Sequence, residues 1–93
     1  MKNLTEIRER LNQIDDEIVR LFVERLTAME EVATAKKIQK LPLYDAERER
    51  AILCRLQEQT PEEYRDYIEK LYEKIFDCCK ERQQTFLAER DGK

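Results

Sequence analysis

A permanently charged arginine interrupts the apolar seam of the longest helix that the sequence predicts. Arg25 occupies the heptad position that Leu4, Leu11, Ile18 and Val32 otherwise fill. Burying an unpaired guanidinium costs several kcal/mol, so an anion must face Arg25. That anion is either a carboxylate of the protein, which would set the register of the packed helices, or part of a bound ligand.

Lys36 lies on the same face of this helix, eleven residues after Arg25. The two residues are about 20° apart around the helix axis and roughly 17 Å apart along it, so their long side chains can converge on one small anionic molecule. Arg8 lies about 25 Å from Arg25 and about 100° around the helix. It can reach the same molecule only from an antiparallel partner chain, and is otherwise a solvated surface arginine.

Polar side chains also fall on the inward faces of the two later helices. Arg48 and Glu49 occupy the first turns of the second helix, beside its apolar stripe, where a helix-end charge pair is the alternative to a ligand site. Cys79 and Gln83 are four residues apart on the apolar stripe of the third helix. A buried glutamine needs a hydrogen-bond partner, which can be the protein itself or a ligand.

The residue types that the sequence lacks exclude most other chemistry. It contains no histidine, which excludes Ser-His and Cys-His catalysis, and its single glycine is residue 92, which excludes a glycine-rich phosphate loop. Its three cysteines form no C-x-x-C motif. The remaining groups can bind a small dianion and donate hydrogen bonds to it, with no covalent intermediate, no metal and no cofactor.

Three helices in a single domain spanning residues 1–93 are predicted to position these groups. The first helix covers about 4–38, the second about 46–58 and the third about 61–90. Pro42 disrupts the first helix and Asp45 caps the second. Thr60, followed by Pro61 and Glu63, has the pattern of a capping box at the start of the third.

The length of the first helix predicts an oligomer. Its 33 residues from Leu4 to Lys36 span roughly 50 Å, whereas a compact domain of this size is only roughly 30 Å across. Two shorter helices cannot cover so long an apolar seam. The predicted fold class is therefore all-α, an intertwined homodimeric helical bundle with a very long first helix.

The charge and hydropathy of the sequence limit which binding partners and which cellular compartment are expected. The chain has 18 Lys and Arg against 21 Asp and Glu, and its net charge of −3 disfavours nucleic-acid binding. The longest uninterrupted apolar run is the four residues 51–54, too short for a membrane span. The unpaired cysteines favour a reducing, cytoplasmic location.

Six short motifs along nearly the whole chain resemble those of the all-α chorismate mutases. In order they are Ile7-Arg8, Ile14-Asp15, Glu24-Arg25, Ala35-Lys36, the run from Asp45 to Arg50, and Cys79 with Gln83. Each motif is weak alone, but six in register make a coincidental match improbable. The resemblance implies a small intertwined homodimer, an isomerase that rearranges chorismate to prephenate in phenylalanine and tyrosine biosynthesis.

The resemblance also implies a role for each candidate residue. Arg8 of the partner subunit and Arg25 would bind the carboxylates of the substrate. Lys36 would donate to the ether oxygen and to a carboxylate, and Gln83 would donate to the same ether oxygen. These donors would stabilise the bond that breaks.

The remaining candidates follow from the same resemblance. Arg48 would order the carboxylate-binding groups, Glu49 would accept a hydrogen bond from the ring hydroxyl, and Asp45 would touch the region of that hydroxyl. Cys79 departs from the family, which often has a small hydroxyl residue there. Because a thiol is a weaker donor, binding is expected to weaken modestly while activity survives.

Two alternatives remain open. The isochorismate pyruvate-lyases are similar in fold and share the arginines, the lysine and the glutamine, but those compared lack the carboxylate that matches Glu49. A non-enzymatic helical dimerisation module would explain the apolar seam and the length of the first helix. It would not explain why Arg25 and Gln83 lie on apolar faces.

Overall fold

The computed structural model describes residues 3–91, and these residues form helices joined by short connections. α1 covers Leu4–Gln39 and α2 covers Ala46–Glu58, a 3₁₀ turn follows at Glu62–Tyr64, and α3 covers Arg65–Asp91. No strand occurs within this described part of the chain. The prediction of an all-α fold with a very long first helix is confirmed.

Both ends of α1 are capped by local hydrogen bonds. The side chain of Asn3 accepts a hydrogen bond from the backbone N–H of Glu6 at 2.9 Å, which caps the first turn. At the other end Lys40 adopts a left-handed conformation with φ 60° and ψ 38°, and the backbone N–H of Leu41 donates to the carbonyl of Lys36 at 2.8 Å. Glycine usually takes this position, so here a lysine bears the steric cost of the turn that ends α1.

Asp45 caps α2 as predicted, because its carboxylate accepts a hydrogen bond from the backbone N–H of Arg48 at 3.0 Å. The predicted capping box at the start of the third helix is wrong. The hydroxyl of Thr60 instead donates to the carbonyl of Leu56 at 2.7 Å and so closes the end of α2. The 3₁₀ turn at Glu62–Tyr64 has no side-chain cap, and α3 begins only at Arg65.

α3 packs against both other helices and determines how the chain is arranged. Arg25 contacts Cys79 and Met29 contacts Gln83, so α1 and α3 run parallel. Glu49 pairs with Lys80 near the start of α2, while the end of α2 lies beside the start of α3, so these two helices are antiparallel. The C-terminal half of α1, the start of α2 and the C-terminal half of α3 therefore meet at one place.

The chain is elongated and much of its apolar surface is uncovered. Its radius of gyration is 16.8 Å and its longest dimension is 56 Å, whereas a compact domain of this length has a radius of about 12 Å. Along one face of the first half of α1 runs a row of apolar side chains that are between 41% and 59% exposed. We call this row the N-terminal stripe; it consists of Leu4, Ile7, Leu11, Ile14, Ile18 and Leu21. Among the described residues no helix is long and apolar enough to cross a membrane.

Candidate active site

The three helices enclose a pocket of about 460 Å³ where they meet. α1 supplies one wall, the connection at residues 40–45 and the start of α2 supply a second, and α3 supplies the third. Seven of the eight predicted site residues line this pocket: Arg25, Lys36, Asp45, Arg48, Glu49, Cys79 and Gln83. The eighth, Arg8, lies on the first half of α1 and does not line it.

Arg25 lies on the pocket wall between a thiol and two aromatic rings. Its Nη1 donates to the Sγ of Cys79 at 2.9 Å, and its guanidinium carbon lies 5.9 Å and 5.7 Å from the ring centres of Tyr72 and Phe76. No carboxylate among the described residues pairs with it, so the internal ion pair considered as an alternative is absent from residues 3–91. The guanidinium is thus held in place by groups that leave its charge unneutralised.

Cys79 is buried, with 2% of its surface exposed. Burial raises the pKa of its thiol above the ordinary value of 9.0, and the charge and hydrogen bond of Arg25 oppose this shift without cancelling it. The thiol is therefore neutral at pH 7. Its sulfur accepts a hydrogen bond from Arg25, which places a neutral group beside the cation.

Lys36 and Gln83 both line the pocket and carry hydrogen-bond donors. The Nζ of Lys36 donates to the carbonyl of Leu43 at 2.8 Å, in the connection before α2. The Nε2 of Gln83, which is 2% exposed, donates to the carbonyl of Met29 at 3.2 Å. An ammonium carries three N–H donors and an amide carries two, so each group has a donor beyond the one that it uses within the described chain.

The start of α2 contributes both signs of charge. Asp45 uses one carboxylate oxygen to cap the helix, and the exposed side chain of Arg48 lines the pocket mouth. Glu49 pairs with Lys80 of α3, with Oε2 and Nζ 3.7 Å apart. The ammonium of Lys80 also lies 4.6 Å from the ring centre of Tyr44.

Lys80 and Tyr44 are pocket residues that reasoning from the sequence missed. A signal for Lys80 was present, because it lies three residues before Gln83 and so shares its face of α3. It was overlooked as one of many charged residues of that helix. Tyr44 gave no signal, since the pattern of a connection does not show which way its side chains point.

The charges around the pocket favour an anionic ligand. Four cationic side chains line it against two carboxylates, namely Arg25, Lys36, Arg48 and Lys80 against Asp45 and Glu49. The excess of two positive charges matches a small dianion. With Cys79 neutral and held by Arg25, the described pocket offers hydrogen-bond donors and no activated nucleophile.

Comparison with known proteins identifies the family. The model of chorismate mutase type II matches residues 7–84. This chain belongs to the chorismate mutase type II family. The predicted family, its chorismate mutase activity and its enzyme class, an isomerase, are thereby confirmed.

Two relatives agree with this chorismate mutase assignment. The chain is 32% identical over 97 residues to the chorismate mutase of Methanocaldococcus jannaschii, a match that covers 100% of this chain and 96% of that protein. It is 30% identical over 84 residues to the bifunctional chorismate mutase/prephenate dehydratase of Aquifex aeolicus, covering 85% of this chain and 23% of that longer protein. No solved structure matches with comparable significance.

Proposed function

We propose that this chain rearranges chorismate to prephenate within the pocket described above, as a homodimer in which each pocket receives Arg8 of the partner subunit. The observation that supports this most is the excess of unneutralised cationic donors on Arg25 and Lys36, beside the buried amide of Gln83. Chorismate is a small dianion, and such a pocket can hold it without a covalent bond.

The rearrangement is pericyclic and takes place within one molecule, so the protein has two tasks. It must hold the substrate in its compact reactive conformation, and it must stabilise the charge that develops on the ether oxygen. In this proposal Lys36 and Gln83 donate to that oxygen, and Arg25 binds a carboxylate. Since all three side chains are held by the fold before substrate arrives, little reorganisation accompanies the reaction.

The remaining pocket residues orient the substrate. Arg48 orders the carboxylate end, while Glu49 accepts a hydrogen bond from the ring hydroxyl and Asp45 lies near the same hydroxyl. Cys79 replaces the hydroxyl residue common in the family, and its role here is to hold Arg25 through the hydrogen bond at 2.9 Å. We expect this exchange to affect substrate binding modestly.

The homodimer is supported by the surface that one chain leaves uncovered. The chain exposes 7783 Å², whereas a compact monomer of this size exposes roughly 5,700 Å². The difference of roughly 2,000 Å² per chain is in the range that obligate homodimers bury. The N-terminal stripe runs into a groove of about 390 Å³ between α1 and α3, lined by Ile18, Leu21, Leu71 and Ile75. A second copy of the chain would bury both the N-terminal stripe and this groove.

We also propose a cytoplasmic location, because the three free cysteines favour a reducing compartment.

The reaction is tested by following the loss of chorismate absorbance with purified protein, with phenylpyruvate measured after acid treatment. The same assay is run on isochorismate. Prephenate formation that is lost in Arg25→Ala supports the proposal. Release of pyruvate from isochorismate would instead make the chain a lyase, and no reaction with either substrate would leave a helical dimerisation module.

The contribution of the partner is tested by mixing two inactive variants. Arg8→Ala and Arg25→Ala each remove one arginine from every pocket of their own homodimers. In a mixed dimer one pocket retains both residues, so co-refolding equal amounts should restore about a quarter of the wild-type activity. Mixing that restores no activity, although mixed dimers form, would show that Arg8 acts within its own chain, and an Arg8→Ala homodimer with wild-type activity would show that Arg8 has no part in the reaction.

A further inference from the structure

Lys80 touches three parts of the pocket wall at once. It belongs to α3, its Nζ lies 3.7 Å from the carboxylate of Glu49 on α2, and it lies 4.6 Å from the ring centre of Tyr44 in the connection between α1 and α2. It also approaches Asp77 at 3.8 Å, although that carboxylate is largely exposed. We propose that Lys80 is a positioning residue, which holds Glu49 and Tyr44 at the pocket wall and offsets the negative charge of Glu49 beside a dianionic substrate.

The need for such a residue follows from the charges of the proposed reaction, on which this inference rests. A carboxylate that accepts a hydrogen bond from the ring hydroxyl stands close to two carboxylates of the substrate, and like charges in a pocket repel strongly. Glu49 has no other cation within ion-pair distance among the described residues. Lys80 therefore lets Glu49 act as an acceptor without reducing the affinity for the dianion.

The half-buried position of the pair strengthens this argument. The side chain of Lys80 is 32% exposed and that of Glu49 is 25% exposed, so water screens them less than it screens the more exposed pairs along α1. The connection at residues 40–45 is held from two sides, because Lys36 of α1 binds the carbonyl of Leu43 and Lys80 of α3 lies over the ring of Tyr44. Without Lys80, the connection would be held only by the hydrogen bond from Lys36 to the carbonyl of Leu43.

The experiment compares four variants in the chorismate assay: Lys80→Met, Lys80→Arg, Glu49→Gln and the double variant K80M/E49Q. Methionine keeps an unbranched apolar side chain and removes the charge. We expect Lys80→Met to raise KM about tenfold with a smaller change in kcat, because the contact with the hydroxyl exists in the ground state and in the transition state. Lys80→Arg should restore most of the wild-type KM.

The double variant separates positioning from direct contact and from a structural role. If Lys80 acts through Glu49, its removal should change KM by less than about twofold in the Glu49→Gln background. The matched control is Lys70→Met, since Lys70 lies on the same helix over the ring of Tyr67, at 6.0 Å, and does not line the pocket. Lys70→Met should keep the wild-type KM.

Three results would overturn the inference. A further tenfold rise in KM from Lys80→Met in the Glu49→Gln background would mean that Lys80 binds the substrate itself. Wild-type kinetics in Lys80→Met, with Glu49→Gln impaired, would show that Lys80 does not position Glu49. The proposed function would be unaffected by that result. A wild-type protein that consumes no chorismate would remove both proposals together.

Discussion

The two halves of α1 share one helix and one apolar periodicity, yet they lie in different surroundings. Residues 22–39 pack against α3, with Ala33 buried and Phe22 and Met29 half-buried. Residues 4–21 carry the N-terminal stripe, whose side chains are all more than 40% exposed. Periodicity therefore determines which face of a helix is apolar, whereas the neighbouring elements determine whether that face is covered.

The difference between the halves extends to their polar residues. In the covered half, Arg25 and Lys36 face a pocket and are fixed by hydrogen bonds to Cys79 and to the carbonyl of Leu43. In the uncovered half, Arg20 is paired with two exposed glutamates of its own helix. Charges that water screens contribute little, while charges fixed in a pocket can act on a ligand. Seven of the eight candidate site residues thus line the pocket beside the covered half, and Arg8 alone lies in the uncovered half.

The largest effect on assembly and activity is expected from a substitution in the uncovered half of α1, residues 4–21. Ile14→Glu places a carboxylate in the middle of the N-terminal stripe, and twofold symmetry would bury two such charges in the proposed interface, at a cost of several kcal/mol. We expect the proposed dimer to be lost at micromolar concentration and activity to fall at least about 1000-fold, because each pocket would lack the Arg8 that the partner subunit is proposed to supply. Light scattering and the chorismate assay measure these effects.

The matched control for this change is Asn12→Glu, which places the same carboxylate on an exposed polar face two residues earlier. It should keep the dimer and the activity. An Ile14→Glu protein that stays dimeric and fully active would show that the N-terminal stripe is not the interface.

The next largest effect is expected from a substitution in the covered half of α1, residues 22–39. Lys36→Ala removes the ammonium that is proposed to donate to the ether oxygen and should reduce kcat by about 100- to 1000-fold while the protein stays folded, since only one hydrogen bond of the fold is lost. Circular dichroism and light scattering check the fold. The exposed neighbour Lys37 provides the control, as Lys37→Ala should retain the wild-type rate. A near-wild-type rate in Lys36→Ala would contradict its assignment.

The smallest effect concerns the pH dependence of stability in the covered half. The pKa of Cys79 is higher in the folded chain than its ordinary value of 9.0, so the folded state holds the thiol proton more tightly than the unfolded state does. This contribution to stability is complete below pH 9.0 and is lost as the pH rises through the folded pKa. The free energy of unfolding of the wild type should therefore fall above pH 9.0, relative to that of Cys79→Ser.

Urea unfolding between pH 7 and pH 10.5 measures this difference. Cys54→Ser removes an exposed thiol and serves as the control, which should keep the wild-type pH dependence. If Cys79→Ser and the wild type lose stability in parallel, burial of the Cys79 thiol has no measurable effect on folding.

Much of the fold could be predicted because it depends on local signals. The end of α1 near Pro42 and the cap of α2 at Asp45 follow from steric and hydrogen-bonding preferences within a few residues. The start of α3 was predicted wrongly for the same reason. Thr60 can cap the helix that follows it or bond back to the helix before it, and the sequence pattern is the same in both cases.

The candidate site was predictable where a polar residue broke an apolar pattern. Arg25 and Gln83 were visible because they occupy positions that aliphatic residues normally fill, and both line the pocket. Lys80 lies on the same face of α3 as Gln83, but a lysine on a highly charged helix does not stand out from its neighbours. Its importance comes from Glu49 and Tyr44, which are more than 30 residues away in the sequence.

The three helices, the long apolar seam and the residues that break it follow from periodicity and from preferences within one or two turns. The packing of the helices adds that α3 covers one half of that seam, that Arg25 lies against a thiol and two rings without a carboxylate, and that Glu49 pairs with Lys80. The physical reason is that periodicity describes one helix at a time. A pocket exists only in the packing between helices, where residues distant in sequence meet.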